Sequence, residues 1–160
     1  MSIAQVRLGA ASAAAALAVC SLAAFSGLPS RAADVSGDGT CGSVRIGLQA
    51  TTSKDAWAAQ TCFSKAFAKC DPATLFVSFG GVDSGVRRTF TTLTSNFDGT
   101  CQVVDVVEHY RVPNYSQSDT YLCSSVSQTS DGLIFTRCGA DGDVMVPTDP
   151  SSPKAAAFNH

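Results

Sequence analysis

Apolar positions along this chain change rhythm three times. Residues 8–29 carry no charge at all, with Arg7 just before the run and Arg31 just after it. Next, Ala59, Cys62, Phe63, Ala66, Phe67 and Cys70 recur at intervals of three and four, while Thr61, Lys65 and Lys69 fall elsewhere on the circumference. That period belongs to an amphipathic helix with one buried stripe. Thr52 followed by Asp55 has the spacing of a capping box, with Asp in place of Glu, and Pro72 is expected to stop the helix. A short strand is expected before it, at residues 44–48.

After residue 73 the rhythm shortens to alternation. Leu75, Val77 and Phe79 alternate with Phe76 and Ser78, and Gly80-Gly81-Val82-Asp83-Ser84-Gly85 turns the chain into residues 86–93 as a hairpin would. Residues 102–112 read as one long strand. Val104, Val106, Glu108, Tyr110 and Val112 share one of its faces, and Asp105, Val107, His109 and Arg111 share the other. Alternation does not say whether the His109 face is open or covered. Residues 113–117 break the run, and a last hairpin joins 121–126 to 133–138 around Thr129-Ser130-Asp131-Gly132. One helix and about five antiparallel strands imply an α+β layer fold, the helix packed on a curled sheet. Folds of the cystatin type and of the nuclear-transport-factor type are similar in that outline. A single domain is expected over residues 43–147, after a flexible lead-in at 33–42 and before a disordered tail at 148–160 rich in Pro, Ser and Ala.

A basic start, an apolar run and small residues at Ser30 and Ala32 have the form of a signal peptide over residues 1–32, cut after Ala32. A retained anchor and a lipid attached at Cys20 are the competing readings, and a membrane comes into play only if that N-terminal segment, or its lipidated part from Cys20 onward, is retained. Among 160 residues there are 11 basic and 13 acidic side chains. Every acid lies after the cut, whereas Arg7 and Arg31 lie before it, so the remaining chain is more acidic than the formal charge of −2. A nucleic-acid partner would need clustered cations, and Arg87-Arg88 is the one adjacent pair, expected on a solvated face.

Of seven cysteines, Cys20 precedes the cut, leaving Cys41, Cys62, Cys70, Cys101, Cys123 and Cys138. An even set in an exported chain reads as disulfides, and the location as secreted or cell envelope. No Cys-x-x-Cys spacing supports a metal site, and no cofactor is expected. Cys62 and Cys70 lie eight residues apart on the helix, so about 12 Å separates their Cα atoms at ~1.5 Å per residue, too far for a bond. In the register of the last hairpin Cys123 faces Cys138 directly or within one residue. That pairing leaves Cys41 and Cys101 to the helix cysteines, in either order.

His109 is the one internal histidine, and with Asp105 and Arg111 it forms the candidate polar centre for ligand binding. Residues two apart on a strand are ~6.6 Å apart and four apart ~13 Å, so Asp105 does not orient His109 directly. No Gly-x-Ser-x-Gly elbow occurs. Gln102-Val103-Val104 resembles the start of the cystatin inhibitory motif Gln-x-Val-x-Gly, but Asp105-Val106 follows and the glycine is absent. Asp141-Gly142-Asp143 has the composition of a turn rather than of a calcium loop, and Asn114-Tyr115-Ser116 has the form of a glycosylation acceptor. The expectation is a secreted, disulfide-stabilised, non-enzymatic domain that binds a protein or glycan. Two alternatives accompany it: an extracellular protease or hydrolase inhibitor presenting the 80–85 or the 113–117 loop, and a small secreted hydrolase using His109.

Overall fold

The computed structural model describes residues 39–94, 99–113 and 115–152, with Tyr115 described by its backbone alone. The signal segment at 1–32, most of the lead-in, Asn114 and the tail from 153 lie outside the described residues. Strand β1 (Thr40–Gly47) leads into helix α1 (Ser53–Lys69), and four strands follow: β2 (Thr74–Gly80), β3 (Ser84–Thr94), β4 (Cys101–Arg111) and β5 (Tyr115–Cys123). These make one sheet in the order β1-β2-β3-β4-β5. A second sheet holds β6 (Ser125–Gln128), β7 (Gly132–Thr136) and β8 (Val144–Pro147), with a 3-10 turn at Gly139–Asp141 before β8.

The α+β class stands, but the sheet is mixed rather than antiparallel. Val44 pairs with Val77 and Ile46 with Phe79 in parallel, because α1 carries the chain back to the end from which β1 started. The hairpin β2–β3 and its partner β4 are antiparallel as expected. The strand expected at 121–126 is two strands. Ser124 separates β5, which pairs with β4, from β6, which pairs with β7. β1 starts earlier than expected, at Thr40, and the β8 segment was not anticipated. Residues 148–152, expected in the disordered tail, are tied down: Thr148 N–H donates to Asp131 O, Gly47 N–H donates to Pro150 O, and Pro150 is buried.

The helix begins as its sequence suggests. Thr52 Oγ1 accepts from the Asp55 N–H at 3.2 Å and donates to Asp55 Oδ2 at 2.7 Å. It ends one turn before Pro72, where Cys70 adopts φ 55° and the N–H groups of Cys70 and Asp71 reach back to the carbonyls of Phe67 and Ala66. Its stripe buries Ala56, Ala59 and Phe63, with Ala66 and Phe67 half-buried against the same core. Phe135 of β7 stacks on Phe90 of β3 at 3.7 Å and meets Phe63 edge-on at 5.6 Å, joining helix and both sheets in one core with Leu75, Val77, Val103, Leu133 and Val146. Gln60, also in the helix's buried set, donates from Nε2 to Pro147 O at 2.9 Å and so satisfies a carbonyl at the end of β8.

Three disulfides close, Cys41–Cys62, Cys70–Cys101 and Cys123–Cys138, with Cα separations of 5.5, 5.3 and 4.1 Å. Ser125 pairs with Thr136, so two further residues along the same register set Cys123 opposite Cys138. Three such bonds fit an extracytoplasmic location. Among the described residues no helix is long and apolar enough to cross a membrane.

Candidate functional site

β3, β4 and β5 run past the layer that covers them, and the candidate site lies on the overhang. Across these strands one face presents successive rows: Phe90, Asp105 and Tyr121; then Arg88, Val107 and Asp119; then Val86, His109 and Gln117. Asp105 and Val107 are buried, whereas His109 and Arg111 are exposed. The three residues expected to act together do share a strand face. The edge of the cover divides them, and only His109 and Arg111 line the cleft.

Asp105 is fully buried and its charge is already engaged. Arg88 Nη1 donates to Asp105 Oδ2 at 2.6 Å, and Arg88 Nη2 pairs with Asp141 Oδ2. Burial raises the Asp105 pKa to about 6 in spite of the Arg88 charge and hydrogen bond, which pull it down. Asp105 Oδ1 has no hydrogen-bond partner among the described residues. The carboxylate lies within 4.8 Å of the sulfurs of Cys123 and Cys138, a spacing suited to a cation were they thiolates, but the two are bonded to each other.

From the sequence, Arg88 reads as a member of a solvated pair and Asp141 as a turn residue, neither as a site residue, and the burial of Arg88 corrects the expectation of a solvated arginine pair. Arg88 is buried, whereas Arg87 points to the opposite face, 4.6 Å over the Tyr110 ring and 3.8 Å from Glu108 Oε2. The signal was present in the alternation. Arg88 falls in step with Phe90 and Thr92, both buried, as Asp105 falls in step with Val103 and Val107.

The overhang forms an open cleft of about 420 Å³ lined by Ser84, Gly85, Val86, His109, Tyr110, Arg111 and Gln117. Neither the His109 nor the Arg111 side chain makes a hydrogen bond or ion pair among the described residues. The floor is tight: a Cβ on Gly85 would collide with the Phe79 carbonyl oxygen and come within 2.7 Å of the Tyr110 hydroxyl. That hydroxyl donates to Gly81 O at 3.1 Å.

Three turns meet at this end of the sheet. Val112 N–H donates to Asp83 O at 2.7 Å, and Leu48 Cδ1 lies 3.9 Å from where a Gly81 Cβ would stand. Each turn exposes an aliphatic side chain: Leu48 at 72%, Val82 at 84% and Val112 at 58%. Sequence reasoning singled out the 80–85 and 113–117 loops, but not Leu48 beside them. No family model matches this chain, and comparison with curated proteins and with solved structures found no similar protein.

Proposed function

We propose that this chain is an exported, disulfide-braced binding domain without catalytic activity, freed from a signal peptide after Ala32. It receives a protein or glycan ligand in the cleft that holds His109 and Arg111. The observation carrying this reading is an open cleft in which the Arg111 guanidinium and the His109 imidazole have no side-chain partner among the described residues. Asp105 contributes from beneath, holding Arg88, rather than by touching the ligand. A hydrolase would require His109 to be hydrogen-bonded to a nucleophile and an orienting acid. Ser84 lines the same cleft, yet no hydrogen bond joins it to His109, and no carboxylate reaches the ring among the described residues.

Native mass spectrometry of the protein recovered from its host's exterior tests the reading. The expected result is a chain starting at Ala33 that carries extra mass, and that loses it when His109 and Arg111 are both changed to alanine. Retention of the same adduct by the double variant, or turnover that depends on His109, would overturn it.

A second reading has its own support. Leu48, Val82 and Val112 stand exposed on three turns that meet, an apolar group of the kind that can enter a partner's cleft. This favours the inhibitor alternative. A Val82→Asp variant that still inhibited a co-secreted hydrolase at equal stoichiometry would remove the turns from that role.

A further inference from the structure

Resting on the binding-domain reading, we infer that the cleft recognises a glutamate side chain carried by an extended peptide that pairs with the outer edge of β5. Charge is the first observation. The chain as a whole has more acids than bases, but the cleft wall carries Arg111 and His109 and no carboxylate. Among the acids nearby, Glu108, on the other face, accepts from Ser116 Oγ and lies near Arg87, Asp119 accepts from Gln117 Nε2, and Asp83, exposed in the turn before Ser84, does not line the cleft. An anion is therefore the ligand group that this wall complements, and a carboxylate suits the planar fork of an arginine.

The edge is the second observation. β5 is the last strand of its sheet, and among the described residues no strand pairs with its outer side. Residues 116–118 and 120 are exposed, with no bulge in the β4–β5 register to twist that edge away. Such an edge accepts an added strand through backbone hydrogen bonds, while pockets beside it select side chains. Strands sit ~4.8 Å apart, so a peptide docked on β5 lies about 10 Å from β4. Arginine and glutamate side chains together close that gap; aspartate is one methylene shorter. Val86 in the cleft adds aliphatic surface beside the carboxylate site.

The probes are N-acetylated, C-amidated Thr-Val-Glu-Val-Thr, its Gln and Asp counterparts, and free glutarate and glucuronate, each titrated calorimetrically into the oxidised protein. The Glu peptide is expected to bind about tenfold more tightly than the Gln or Asp peptide. Arg111→Ala is expected to bring it down to the Gln level with an unchanged melting temperature, and amide exchange at residues 116–120 is expected to slow when the Glu peptide is bound. Equal affinity for the Glu and Gln peptides would overturn the inference, as would unaltered exchange at 116–120. Glutarate or glucuronate binding as tightly as the peptide would also overturn it, by making the cleft a plain carboxylate pocket. Should a native adduct still depend on His109 and Arg111 while the Glu and Gln peptides bind alike, the binding-domain reading survives and the glutamate specificity does not.

Discussion

Asp105 shows how one strand position can look like a site and serve as a foundation. Its carboxyl takes its proton at about pH 6 in the folded chain, against an ordinary 3.8, because burial outweighs the stabilising Arg88 charge. Folding therefore takes up a proton between those values. The contribution of this group to stability is greatest below about pH 4 and falls as pH rises through 6. The difference amounts to about 3 kcal/mol, at ~1.4 kcal/mol per pH unit. Asp105→Asn keeps the shape and loses the titration, so urea unfolding at pH 4.5 and 7.5 should show a smaller difference between the two conditions in the variant than in the parent. An identical difference in both would mean that Arg88 fully offsets the burial. The choice of Asp105 from sequence was right about its face and silent about its depth. An acid placed between Val103 and Val107 on the same face was the available sign that it lies inside.

At the scale of elements, local signals were legible and relations between elements were not. The helix is the clearest case, since its stripe, its Thr52 start and its stop before Pro72 are all written within about twenty residues. Thr52 accepts one N–H of the first turn, so Thr52→Ala should destabilise the fold by about 1 kcal/mol, read as a lower urea midpoint with an unchanged slope. No loss would mean that water serves the Asp55 N–H equally well. Strand direction left no such trace, because alternation is the same whichever way a strand runs, and only the helix between β1 and β2 implied their parallel pairing. β4 was legible as two faces. Where its cover stops depends on α1 and on the second sheet, elements remote from it in sequence, so the division between Asp105 and His109 was not visible locally. Val144–Pro147 is four residues ending in proline, too short and too ambiguous to read as a strand.

The whole molecule is small, and its layers are tied together covalently, one of the bonds within the buried core. Cys41–Cys62 fastens the edge strand β1 to the helix, Cys70–Cys101 fastens the helix end to β4, and Cys123–Cys138 joins the two sheets. Loops of this size contribute about 3 kcal/mol each, so replacing Cys41 and Cys62 together by serine should cost about that much in urea unfolding. A loss well under 1 kcal/mol would show that core packing alone holds β1. The pairing has a further property that comes from order along the chain. Each bond joins a cysteine to the next one in sequence after the proposed cut, so no closed loop contains another cysteine and none crosses another. A chain threading outward from its N-terminus would present its partners two at a time, each pair complete before the next cysteine emerges. Oxidation in step with emergence thus yields the native set without reshuffling, and a catalyst of disulfide exchange should scarcely speed recovery of the fold when the cysteines are delivered in that order.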